Sequence, residues 1–168
     1  TFWQGELHGK RVVLALSGIG KVAAATTAAA LVERFGVARI VFTGVAGGVG
    51  EGVRVGDVVV AHDYVQHDMD VPPLFERWQV PGYAGVRLPC DTALSAHLSR
   101  AASDCLAGAG AGFYINSDGM PPRLHQGLMA SGDRFVTCAQ VSRALREPLL
   151  AAGHDVLAVE MEGAAVAQ

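Results

Sequence analysis

Two apolar, β-branched runs joined by a glycine-dense bridge constrain this chain more than any other feature. Arg39-Ile40-Val41-Phe42-Thr43 leads into Gly44-Val45-Ala46-Gly47-Gly48-Val49-Gly50-Glu51-Gly52, and Val53-Arg54-Val55-Gly56-Asp57-Val58-Val59-Val60-Ala61-His62 follows. Such flanking runs predict two buried strands. Five glycines in nine residues cost too much chain entropy to lie there without a reason. Two reasons stay open: a backbone turn that a ligand approaches closely, or a tight turn packed against a neighbouring strand.

Composition narrows the fold. A chain of 168 residues is long enough for one domain with a real core. Its 51% hydrophobic content is high, yet no apolar run reaches the length of a membrane span. Near-continuous strands covered on both faces reconcile the two, which favours an α/β fold. A net charge of −3 gives no footprint for nucleic acid or an anionic membrane. Cys90, Cys105 and Cys138 are odd in number and lack metal-type spacing, so a reduced, cytoplasmic setting is expected.

Arg11 to Ser17 reads as a strand and Val22 to Phe35 as a helix, with Val22, Ala25, Ala29 and Val32 along one stripe and Gly36 as its terminating glycine. With the run from Arg39 these predict a βαβ unit with a right-handed crossover. Gly18-x-Gly20-x-x-Ala23 has dinucleotide-binding spacing, but the next strand ends Phe42-Thr43-Gly44 without the ribose-binding acid, which weighs against it. Gly20-Lys21 does not meet the P-loop spacing. His62-Asp63 and His67-Asp68-Met69-Asp70 contain metal-ligating types, but neighbours on an extended chain face opposite ways, so polar groups at a strand end are the plainer reading.

Residues 71–89 read as a loop rich in proline and aromatics, suited to a subunit contact or a pocket cover. Asp91 is a good N-cap for a helix over residues 92–107. Residues 108–126 read as irregular. A strand over 127–131, a helix over 139–152 bent at Pro148, and a final strand over 154–161 follow. That strand delivers Glu160, Met161 and Glu162 at its carboxyl end, where ligands bind in open α/β sheets. A carboxylate there suits vicinal hydroxyls, and an aromatic such as Phe135 suits a flat base. The alternative for Glu162 is an acid favoured by a helix dipole. Thr1 is not a start methionine and the last helix stops after about two turns uncapped, so the chain is expected to be part of a longer protein.

Ser17-Gly18-Ile19-Gly20-Lys21-Val22-Ala23-Ala24-Ala25, Thr43-Gly44-Val45-Ala46-Gly47-Gly48, Val55-Gly56-Asp57-Val58-Val59-Val60, Ser131-Gly132-Asp133-Arg134-Phe135 and Val159-Glu160-Met161-Glu162-Gly163-Ala164-Ala165 occur in that order across nearly the whole chain. By these motifs the chain resembles the 5′-methylthioadenosine/S-adenosylhomocysteine nucleosidases of the nucleoside phosphorylase superfamily. The resemblance implies a three-layer α/β/α sandwich around a central mixed, largely parallel sheet. It implies one nucleoside phosphorylase-type domain over residues 1–168, incomplete at both ends, no cofactor, no metal, and a homodimer. The implied reaction hydrolyses the N-glycosidic bond of an adenosine-type thioether and releases adenine. By matching position, Glu162 would hold the ribose hydroxyls, Met161 would pack on the sugar, and Glu160 would lie nearby. Phe135 would stack on the purine, the Val136 backbone would meet its edge, and Ala46 and Gly47 would line the ribose and base side. The segment near Leu74 and Phe75 resembles one that reaches into a partner subunit's pocket. In the family, an aspartate that protonates the purine and a glutamate that positions water lie in segments beyond these residues. Little turnover is therefore expected of these residues by themselves. Val45 replaces a serine found in many relatives, which makes phosphorolysis less expected than hydrolysis. A purine nucleoside phosphorylase, another nucleosidase of the superfamily, and a non-catalytic nucleoside-binding chain are the alternatives.

Overall fold

The computed structural model describes residues 1–108 and 119–168. The reading of 108–126 as irregular falls mostly outside them. Strands β1 (Phe2–Leu7) and β2 (Lys10–Ala15) form an antiparallel hairpin, followed by helix α1 (Lys21–Phe35). Strands β3 (Gly47–Gly48), β4 (Val58–Gln66) and β5 (Arg87–Pro89) precede helix α2 (Thr92–Gly108). Strand β6 (Leu124–Ser131), helix α3 (Ala139–Ala151), strand β7 (Val156–Glu160) and helix α4 (Gly163–Ala167) complete the order.

The main sheet runs β3-β7-β6-β4-β5. Its centre is parallel, β4 with β6 and β6 with β7, while the edge strands β3 and β5 pair antiparallel. Alternation along the strands separates two packing faces. On one, Val65, Leu128, Ala130 and Val156 meet Leu149 of α3 and Trp78. On the other, Leu88 and Tyr64 meet Ala164 of α4. Helix, mixed sheet and helix form the expected three layers. The helix ends follow their sequence signals. Asp91 Oδ1 accepts from the Leu94 N–H at 2.7 Å, and Gly36, at φ 62°, closes α1 with its N–H on the Val32 carbonyl.

Three expectations are corrected. Residues 39–43 form no strand, and β2 pairs only with β1, so the βαβ unit proposed around α1 is absent. The competing partner is the hairpin β1–β2, whose turn places both His8 and Gly9 at positive φ. Such turns match the strand twist and are seldom signalled by histidine. The stripe assigned to α1 is also displaced: Ala24 and Leu31 are buried, whereas Val22 is 78% exposed. Finally, the strand expected over 53–62 begins later, at Val58.

The glycine run resolves toward packing on a strand. Val49 and Gly50 both donate N–H bonds to the Leu157 carbonyl, at 3.0 and 2.9 Å. A Cβ on Gly50 would come within 2.8 Å of the Leu157 Cα, so only glycine permits the approach. No described helix is long and apolar enough to cross a membrane.

Candidate functional site at the carboxyl ends of the parallel strands

The parallel strands β4, β6 and β7 deliver Gln66, Ser131 and Glu160 side by side: Gln66 pairs with Ser131, and Ser131 with Glu160. On the other flank, Gly47 of β3 pairs with Val159, one residue before Glu160. The chain thus brings the glycine run, the end of β6 and the acids after β7 to one end of the sheet.

Glu160 is a buried carboxylate surrounded by donors. The Ser131 hydroxyl donates to Oε1, and the N–H groups of Glu162 and Gly163 donate to Oε2 at 2.8 and 2.6 Å. Ser131 Oγ in turn accepts from the Ala164 N–H at 2.8 Å. Burial pushes the Glu160 pKa up, and these donors oppose it without cancelling it. All this hydrogen bonding is spent on the turn from β7 into α4. Glu160 therefore shapes the site from beneath rather than offering a free carboxylate to a sugar, a distinction its sequence position did not carry.

Glu162 does something else. It stands at the N-cap of α4 but its side chain makes no cap there; Oε1 accepts instead from the Gly20 N–H at 2.7 Å, 142 residues away in sequence. The helix-dipole alternative is half right: the carboxylate serves the start of α1, not of its own helix. Beside it, Asp133 Oδ1 accepts from the Lys21 N–H at 2.8 Å. Helix α1 has no acid in its first turn, and two remote carboxylates take up two of the donors at its start, the Gly20 and Lys21 N–H groups. The glycine turn with dinucleotide-like spacing thus donates to the protein's own acids.

Lys21, Asp68 and Asp133 stand in motifs that the sequence shows, but the sequence gives them no common role. The Lys21 ammonium lies 2.6 Å from Asp68 Oδ1 and 3.2 Å from Gln66 Oε1. Burial works against the Asp68 charge, but the Lys21 ammonium and the Asp133 N–H hold its carboxyl below the ordinary range. The signal available was the pairing of His67-Asp68 with Ser131-Gly132-Asp133, both flagged but not joined. No described group of His, Cys, Asp or Glu has the arrangement of a metal site.

Of the remaining predicted residues, Met161 is half-buried beside Glu162 and Phe135 lies 73% exposed beyond β6. Val136 lines a cleft of about 590 Å3 with His67, Arg77, Arg134 and Leu145. The other predicted residues do not line that cleft.

The family model described as the phosphorylase superfamily matches residues 1–168. The chain belongs to that superfamily. It is 38% identical to the 5′-methylthioadenosine/S-adenosylhomocysteine nucleosidase of Colwellia psychrerythraea, across the whole chain and 64% of that relative. Among solved structures, it matches the same kind of nucleosidase from Neisseria meningitidis, in complex with methylthio-immucillin-A. That match has a TM-score of 0.83 and 39% identity, over 99% of this chain and 64% of that one. A futalosine hydrolase mutant of Helicobacter pylori matches with a TM-score of 0.77 and 30% identity, over 99% and 66%. The chain therefore spans somewhat under two thirds of the length of these relatives.

Proposed function

We propose that residues 1–168 form one nucleoside phosphorylase-type domain, the nucleoside-binding portion of an N-glycosidase of the 5′-methylthioadenosine/S-adenosylhomocysteine type. The reaction is hydrolysis that releases adenine. The observation that carries the reading is Glu162, a carboxylate tethered by one oxygen just past the end of a parallel strand whose Val159 pairs with Gly47. The likeness to two nucleosidases at 38% and 39% identity supports the substrate class.

Breaking this bond leaves positive charge on the sugar and negative charge on the departing purine. Glu162 accepts from the vicinal ribose hydroxyls and places negative charge near the oxocarbenium-like sugar. Met161 packs on the sugar, Phe135 offers its exposed ring to the base, and the Val136 backbone meets the base edge. Ala46 and Gly47 line the opposite side. Glu160 keeps Glu162 in place through the turn it binds. Hydrolysis is favoured over phosphorolysis because Glu162 and Asp133 occupy the donors at the start of α1, and because Val45 brings no hydroxyl. No cofactor is invoked. The protein acts as a cytoplasmic homodimer in this reading, with the exposed Leu74 and Phe75 at the subunit contact.

Calorimetry on this chain tests the site. Methylthioadenosine is expected to bind, and Glu162→Ala to weaken it by more than about 1 kcal/mol, as for a lost bond to a charged acceptor. Unchanged affinity would remove Glu162 from the site. In the full-length protein, adenine release from methylthioadenosine without phosphate is expected; release that requires phosphate would make the enzyme a phosphorylase. The likeness to a futalosine hydrolase supports a second reading, in which another group replaces the methylthio substituent. Competition between the two nucleosides decides it.

A further inference from the structure

Three elements meet through one ammonium group. Lys21 Nζ reaches Asp68 Oδ1 at 2.6 Å and Gln66 Oε1 at 3.2 Å, both beyond the middle of β4, and stands 3.8 Å from Asp133 Oδ2 after β6. The Asp133 N–H donates to Asp68 Oδ2 at 2.8 Å, and Asp133 Oδ1 takes the Lys21 N–H at 2.8 Å. These bonds close a ring: Lys21 to Asp68, Asp68 to Asp133, Asp133 back to Lys21. Gln66 extends it, donating to the side chain of Gln168 at 2.9 Å just past α4. The Lys21–Asp68 side of the ring is partly shielded from water, with side chains 16% and 29% exposed, while the Asp133 side chain is 53% exposed. That shielding makes the Lys21–Asp68 bond stronger than a surface pair.

The neighbour of Lys21 gives the ring its consequence. Gly20 donates its N–H to Glu162 Oε1, so wherever the ring fixes the first turn of α1 it also fixes that donor. Without the ammonium, Asp68 and Asp133 would face each other as two like charges, and the turn would move away. Gly20 also lies close to this pair: a Cβ there would stand 3.1 Å from Asp133 Oδ1.

We propose that Lys21, through the ring with Asp68 and Asp133, is a positioning residue that holds the Gly20 N–H against Glu162 and so orients this carboxylate toward the ribose hydroxyls. This rests on the nucleoside reading above, and it predicts a loss confined to the sugar. In that reading adenine by itself meets Phe135 and the Val136 backbone, and neither Glu162 nor the turn that holds it.

The experiment is titration calorimetry of the whole chain with methylthioadenosine and, separately, with adenine, alongside thermal melts. Lys21→Met is expected to raise the Kd for the nucleoside about tenfold, the size of one well-made charge-assisted bond, and to leave the Kd for adenine unchanged. Lys21→Arg restores nucleoside binding to within about threefold, since a guanidinium can pair with Asp68. Asp68→Asn breaks the ring from its other side and serves where Lys21→Met fails to fold. In the Glu162→Ala background, Lys21→Met adds no further loss. Equal weakening of nucleoside and adenine overturns the proposal and makes Lys21 a fold support only. Unchanged nucleoside binding in both ring variants also overturns it. Failure of the unaltered chain to bind the nucleoside is a different result, which removes the functional reading and this inference with it.

Discussion

The two ends of this chain use the same kind of residue to opposite effect. Around β6, β7 and α4, valine, alanine and leucine are sealed: Val156 and Ala130 are fully buried, and Ala158 is 1% exposed. Around β2 and α1, equally apolar side chains face outward, with Leu16 78%, Ile19 82% and Val45 97% exposed. Composition does not distinguish the two regions. Partners do: β6 has a parallel neighbour on each side, whereas β2 has only β1, and residues 39–43 have none. A β-branched run is a capacity to fill a ladder, and the ladder decides whether it becomes a strand.

Deleting side chains at each end should separate the regions most strongly. Leu149 is fully buried between α3 and the sheet, so Leu149→Ala should cost about 2–5 kcal/mol, from lost transfer energy and the cavity left. Leu16→Ala removes a largely exposed side chain and should stay within about 0.5 kcal/mol. Urea denaturation of both variants measures the pair. Comparable losses would mean that the region around β2 is packed in solution, and the contrast would fall.

A smaller effect is expected where a glycine makes the site compact. Gly163 opens α4 directly under the Tyr64 ring, and a Cβ there would overlap that ring. Tyr64 also packs against Ala164 from β4. Gly163→Ala must push the ring or the helix aside, at about 1–3 kcal/mol, the usual range for overpacking. The same change at Gly5, where nothing lies within 4 Å, should be far milder. Equal melting temperatures for the two variants would show that α4 tolerates displacement and that the site is looser than its hydrogen bonds indicate.

Much of this end of the molecule was legible in the sequence. Asp91 and Gly36 marked helix ends because caps act locally, through bonds to residues three or four away. The final strand and its acids were legible because an apolar run ending in carboxylates is costly unless those acids are used. What escaped was non-local. Nothing within a few residues of Glu160 says that Ser131 will meet it, or that Glu162 will reach across to Gly20 rather than cap its own helix. The stripe on α1 failed for a related reason. Several registers of a helix so rich in alanine look equally apolar, and only the neighbour it meets selects Ala24 and Leu31.

Acid should reveal the smallest difference, and its sign follows from the groups at the strand ends. Burial lowers the His67 pKa below 6.5, with Lys21 and Arg134 adding to the effect and Asp68 opposing it. Between that lowered value and 6.5 the unfolded chain binds more protons at this position than the folded one, so stability falls as pH falls through the window. Asp68, held below its ordinary range, adds a loss in the same direction, but only as pH falls below about 4. Glu160 runs the other way. Its raised pKa means the folded protein gains relative stability as pH falls through that value. His154, whose pKa burial and Arg87 also lower, acts in the same direction as His67, so from pH 7 to 5.5 the melting temperature should drop by a few degrees, as expected for a change on the order of 1 kcal/mol or less in a domain of this size. His67→Gln removes the His67 share of this titration while keeping a polar side chain against Gly132, and should make the slope over that interval shallower. A slope for His67→Gln equal to that of the wild type between pH 7 and 5.5 would mean that His67 takes up its proton as readily folded as unfolded, and that the end of β4 is open to water.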